Sequence, residues 1–200
     1  MSDGAGAPLP TQSRQRVLAG CYACVARFGM GKTTLDDVAK ESGVSRATIY
    51  RLFPGGRDQV LRETVRWEMN HFFARLAEHV YDASDFAELF ERGLLYARQS
   101  LLDHEVLQKV LHTEPERLLP LMTVEQDRVI GYIKAFLLPY LEREQRAGRA
   151  RDGLDLDAAA EHLARMTLSL IASPGATDLT DPAARRRLVR EELLGGVLAP

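Results

Sequence analysis

Apolar residues recur at every third or fourth position along most of the chain, and no stretch alternates as a half-buried strand would. The pattern predicts an all-α fold of about nine helices. Over residues 12–28, Leu18, Cys21, Tyr22, Val25 and Phe28 share one face. Gly29 and Gly31 end that helix, because glycine takes the left-handed cap conformation freely. Thr33 or Thr34 caps a second helix, and Asp36 and Asp37 in its first turn suit the helix dipole. A long helix begins near Arg57 and Asp58, with the stripe Leu61, Val65, Met69, Phe72, Phe73, Leu76 and Val80. A fifth carries Phe86, Phe90, Leu94, Ala97 and Leu101, and a short one Val106, Leu107, Val110 and Leu111. Pro115 and Pro120 interrupt the pattern, leaving Arg117 to Leu119 as a turn of helix. Residues 124–146 repeat Val129, Ile133, Phe136, Leu137, Tyr140 and Leu141, with Pro139 predicting a kink. Asp155 or Asp157 opens the next helix, which Ser173, Pro174 and Gly175 close. Asp181 and Pro182, as cap and first helical residue, open a last one over 182–198.

Composition narrows this picture. A chain of 200 residues, 46% apolar and 27% charged, suits one or two soluble globular domains. No run of about 18 apolar residues marks a membrane span. The opening MSDGAGAPLP has neither the basic start nor the apolar stretch of a signal peptide. Residues 1–11 read as a disordered tail, and the cytoplasm is the expected location. The net charge of −2 argues against a uniformly basic nucleic-acid binder. The distribution is uneven: residues 1–67 hold 10 basic and 6 acidic residues, and the remainder 16 and 22. One end of the chain can therefore approach phosphates more readily than the other.

The stretch LDDVAKESGVSRATIYRLF, residues 35–53, has the residue types that two helices joined by a tight turn require. Ala39 is small where the helices approach, Gly43 suits a positive φ in the turn, and Val44 packs beneath it. Ser45 caps the second helix, and Ile49 with Leu52 or Phe53 faces Leu35 and Val38. Arg46, Thr48, Tyr50 and Arg51 fall on the opposite face. Near a helix N-terminus, arginine pairs with guanine in bidentate fashion, and the other three suit bases or phosphates. Lys32, Thr33, Thr34 and Arg57 stand at or before helix starts, where backbone amides favour phosphate.

The run TTLDDVAKESGVSRATIYRLFPGGRDQVL, from Thr33 to Leu61, resembles the DNA-binding signature of the TetR family. Ala39, Gly43, Val44, Ser45, Thr48, Tyr50 and Phe53 carry the match. It departs at Gly56-Arg57, where many members have serine or asparagine then lysine, and at Leu52, where histidine is frequent. The resemblance implies a helix-turn-helix head over 12–57 and a ligand-binding and dimerisation body over 58–200. It implies a repressor acting on a palindromic operator of double-stranded DNA, and a homodimer formed through about 156–198. It also implies a pocket for a small-molecule inducer. Trp67, His71, Phe90, Leu94, Tyr96, Leu107, Met122, Phe136, Tyr140 and Met166 are candidates to line it, and their character suits an apolar ligand. Aromatics at helical spacing serve equally well as core.

Other features have plainer readings. Cys21 and Cys24 lack the second ligand pair a zinc site needs, and read as small core residues. ARFGMGKT, residues 26–33, loosely fits a phosphate loop but follows an amphipathic helix rather than a strand. His71, His79, His104, His112 and His162 show no metal-ligand spacing, so no metal or cofactor is expected. Arg185, Arg186 and Arg187 read as a solvated face. The competing readings are a helical enzyme, which lacks a nucleophile with a base, and a helical interaction protein that does not bind DNA.

Overall fold

A computed structural model describes residues 10–116, 126–173 and 175–199. Among them are nine α-helices: α1 (Pro10–Phe28), α2 (Leu35–Ser42), α3 (Arg46–Leu52), α4 (Gly56–Val80), α5 (Phe86–Leu102), α6 (Glu105–Thr113), α7 (Gln126–Arg146), α8 (Leu156–Ala172) and α9 (Pro182–Arg187). No strand occurs among the described residues; an isolated antiparallel bridge joins Ala150 to Leu198. Helix α1 starts at Pro10, inside the expected tail, whose residues 1–9 lie outside the described part, as do 117–119. The chain forms two compact units. The first holds α1, α2, α3, α4 through Phe72, and α6; the second holds α4 from Phe73, α5, α7, α8 and α9.

The first unit is built on α1 crossing α2, with α3 against both. Val17, Leu18, Cys21, Cys24 and Val25 of α1 are buried with Leu35, Val38, Val44, Ile49, Phe53, Val60 and Leu61. Burying each larger side chain contributes roughly 1.5–3 kcal/mol. Helices α1 and α2 approach most closely at Gly20 and Ser42: a Cβ on Gly20 would lie 3.0 Å from the Ser42 Cβ. Caps set the helix starts. The Thr34 hydroxyl accepts from the Asp37 N–H at 3.2 Å, and the Asp37 carboxylate accepts from the Thr34 N–H at 3.1 Å. The Thr34 hydroxyl also donates to that carboxylate at 2.6 Å, and this bond, together with the one from the Thr34 N–H, holds the Asp37 carboxyl below its ordinary range. Gly43 sits at φ +63, the left-handed conformation expected of the turn. Helix α6 also packs on α1: Lys109 Nζ donates to the Ala26 carbonyl at 2.7 Å, and the Gly31 N–H donates to Glu114 at 2.6 Å.

In the second unit α7 packs along α8, and α8 against α5. Ala159, Ala160 and Ala164 let α8 lie close to its neighbours, beside buried Leu163, Ile133, Leu137 and Leu141. Pro139 lies inside α7 and offers no N–H to the Ala135 carbonyl. Buried Glu91 of α5 faces Arg190 at 3.2 Å and Arg186 at 3.9 Å, so two of the basic residues near the C-terminus are tied to α5. The last helix does not reach 198 as expected. It passes into a π-helical turn over Leu188–Leu193 and stops. Beyond it Gly195 and Gly196 favour a turn, and the Val197 carbonyl accepts from the Arg151 N–H at 3.0 Å, so this backbone pairs with another segment instead.

Candidate nucleic-acid interface

Helix α3 divides its side chains cleanly. Ile49 is fully buried, while Arg46, Ala47, Tyr50 and Arg51 are exposed. Seven residues span about 10 Å, short enough to lie in a major groove about 12 Å wide. The Ser45 hydroxyl caps α3 by accepting from the Thr48 N–H at 3.3 Å, and donates to the Thr48 hydroxyl at 3.0 Å. Thr48 is half-buried. Arg46 reaches back to α2, its Nη1 lying 2.8 Å from Asp36 Oδ1. Tyr50, one turn along α3, and the Asp36 carboxylate both favour the charged guanidinium and raise its pKa further.

Lys32 and Thr34 are exposed at the start of α2, as expected of residues near phosphate. The side chains of the other two bond within the protein. Thr33 is only 1% exposed, and its hydroxyl donates to the Gly29 carbonyl at 2.7 Å, so its side chain closes the α1–α2 loop from within. Arg57 Nε donates to the Thr33 carbonyl at 2.7 Å, and its Nη2 donates to the Met30 and Gly31 carbonyls. With its N–H groups engaged there and on Asp58, Arg57 positions that loop and does not present a free cation.

Sequence reasoning missed two arginines of α1 that hold the helix pair from behind. Arg14 Nη1 donates to the Leu52 carbonyl at the end of α3 at 3.0 Å, pairs with Glu63, and lies 4.4 Å from the centre of the Phe53 ring. Arg16 Nη2 donates to the Ser42 carbonyl at the end of α2 at 2.7 Å. Helix C-termini leave carbonyls unpaired, and a guanidinium satisfies them with favourable charge. A basic residue at the start of an amphipathic helix reads as solvated, so no signal in the sequence marks these roles.

The residues expected to line a ligand pocket divide between the units. Trp67, His71 and Leu107 belong to the first; Phe90, Leu94, Tyr96, Phe136, Tyr140 and Met166 to the second; Met122 lies outside the described residues. Trp67 contacts His71 edge-on at 4.2 Å, but His71 is exposed and its Nδ1 bonds the Trp67 carbonyl. Phe90 and Leu94 are buried core residues. Tyr96 stacks on His79 at 4.7 Å. Phe136 packs against Phe73 at 5.8 Å and Tyr140 at 5.5 Å. Tyr140 borders a cavity of about 20 Å³ with Val80, Phe86 and Leu89, room for a water rather than a ligand. A larger open groove of about 340 Å³ runs between Ala158 and His162 of α8 and Leu193 and Val197, and none of the candidates lines it.

Comparison with known proteins agrees with this geometry. Residues 17–64 match the family model of bacterial regulatory proteins of the tetR family. An uncharacterized HTH-type transcriptional regulator of Mycobacterium bovis is 29% identical over 161 residues, covering 79% of this chain and 77% of the relative. The fold matches that of Salmonella enterica GusR with a TM-score of 0.63 and 19% identity, covering 98% of this chain and 99% of the other. It also matches SmeT, the repressor of the Stenotrophomonas maltophilia multidrug efflux pump SmeDEF, with a TM-score of 0.55, 18% identity and coverage of 94% and 93%. SmeT is also known as a triclosan complex. The family match and the relatives' names identify a regulator rather than an enzyme. Residues 17–64 are thus a DNA-binding domain of the tetR family, and the chain is a DNA-binding transcriptional regulator.

Proposed function

We propose that this regulator is a repressor acting in the cytoplasm as a homodimer on a roughly palindromic operator, released by a small apolar ligand. The observation that carries the DNA reading is the exposed face of α3, with Arg46 at its capped N-terminus and Tyr50 and Arg51 further along, while Ile49 anchors the helix. Arg46 reads a base edge; Thr48, held by Ser45, sets the first turn; Lys32, Thr34, Tyr50 and Arg51 meet phosphates. Thr33 and Arg57 act behind them. Two copies place their recognition helices in successive major grooves, with half-sites about 34 Å apart. Ala158, His162, Arg165 and Ser169 form the exposed face of α8, which supports dimerisation through α8 and the segment after Asp181.

Ligand response rests on the aromatic series Phe73, Phe136 and Tyr140 in the second unit, and on the triclosan complex of SmeT. A ligand must bind the released state more tightly than the DNA-bound state, or it shifts nothing. The test begins by enriching duplexes from a random-sequence pool on the full-length protein. Fluorescence anisotropy against a scrambled duplex follows, then repetition with candidate apolar compounds, and light scattering for the oligomer. Competitor-resistant binding that weakens with salt supports the reading. Equal affinity for enriched and scrambled DNA refutes it, and a monomer on the operator refutes the dimer.

A further inference from the structure

We infer that Asp36 is a specificity-determining residue: its carboxylate holds the Arg46 guanidinium across the two helices and opposes its capture by backbone phosphate. This rests on α3 being the DNA-reading helix. Asp36 and Arg46 are ten positions apart, on different helices, and meet at 2.8 Å. Their side chains are 67% and 55% exposed, and a pair so exposed adds little stability because water screens it. Its consequence is geometric. Arg46 is the first residue of α3, where the helix dipole disfavours a cation. Asp36 lies in the first turn of α2, where an anion is favoured, and supplies the missing counter-charge.

A guanidinium has five N–H groups in a fixed fork. With one edge of it held by Asp36, the rest remains for a bidentate pair with base acceptors. The pair can persist while Arg46 touches a base edge. Capture of Arg46 by a phosphate instead leaves the Asp36 carboxylate unpaired beside a polyanion. Binding through the backbone alone is thereby penalised, and binding with base contact is not.

The experiment uses full-length wild type, Asp36→Asn, Asp36→Glu, Arg46→Ala and the Asp36→Asn/Arg46→Ala double variant. Anisotropy is measured across a salt series on the duplex enriched by wild type and on its scrambled form. Asp36→Asn is expected to reduce the ratio of enriched to scrambled affinity about fivefold or more, mainly by tightening the scrambled complex. Its salt slope on scrambled DNA should steepen by about 0.9, one further phosphate contact. Asp36→Glu should retain most of the ratio. In the Arg46→Ala background the Asp36→Asn change should have no further effect on the ratio. A wild-type ratio and slope in folded Asp36→Asn overturns the inference alone. So does an equal effect with Arg46 absent, which makes Asp36 a general charge. If wild type enriches no sequence, the DNA reading itself falls and this inference with it.

Discussion

Gly20 of α1 and Ser42 of α2 touch backbone to backbone, since a Cβ on Gly20 would lie 3.0 Å from both the Cβ and the main-chain nitrogen of Ser42. A main-chain nitrogen cannot swing aside as a side-chain tip can. Gly20→Val should therefore push α2 from α1 and destabilise the first unit by about 1–3 kcal/mol. The protein has one tryptophan, Trp67, in that unit, so its fluorescence during urea unfolding reports the loss. An unchanged midpoint would contradict the close crossing.

The bonds from Arg57 to the Thr33 and Gly31 carbonyls separate two roles that both fall to basic residues near α2. Arg57→Ala should lower stability by roughly 1–2 kcal/mol, at the low end for charged hydrogen bonds because the side chain is partly exposed. It should leave the salt slope of DNA binding unchanged. Lys32→Ala should do the reverse, sparing stability and flattening the slope by about 0.9. Anisotropy across a salt series, paired with urea unfolding, decides. A flattened slope in Arg57→Ala would return the phosphate contact to Arg57.

Gly43 allows graded substitution. At φ +63 a non-glycine residue costs about 1–2 kcal/mol, least for asparagine. A Cβ there also meets Arg16 Nη2 at 2.6 Å, so the arginine must leave the Ser42 carbonyl it bonds. Gly43→Asn should lower the unfolding midpoint measurably and Gly43→Val more. Equal, small effects would mean that the turn relaxes to another conformation.

Burial pushes the Cys21 thiol up to about 11, and the Thr64 side chain bonded to it only partly offsets this. The unfolded chain deprotonates near the ordinary value of 9.0 while the folded chain holds its proton. The stabilisation is therefore complete below about pH 9 and is lost as pH rises toward 11. Urea unfolding at pH 8 and pH 10, followed by Trp67, should show a drop that Cys21→Ala reduces. The same burial predicts that iodoacetamide at pH 8 leaves Cys21 unmodified until the protein unfolds. An equal drop in both proteins would assign it to other groups.

The outline of the fold and half of the interface could be read from residue order. Helix stripes, the Thr34 and Ser45 caps and the Gly43 turn depend on residues within about four positions of one another, and these came out as expected. The outward set Arg46, Tyr50 and Arg51 follows from the same periodicity once Ile49 is placed inside. The pocket candidates could not be sorted this way, because burial on a helix face looks alike in a packed core and in a lined cavity. Phe90 and Leu94 proved to be core.

Short-range periodicity and capping, acting through the backbone, thus dictate where helices run and which side of α3 faces outward. Tertiary packing alone decides which groups those side chains meet. It turns Thr33 inward onto Gly29, sets Arg57 on three loop carbonyls, and places Arg14 and Arg16 at the ends of α3 and α2. It also joins Asp36 to Arg46 and ends the last helix at Leu193. Each of these links residues brought together by helix crossing or chain return, so charge and spacing along the sequence carry no trace of it. A long arginine can bond any carbonyl within its reach, and only the packed fold determines which carbonyl that is.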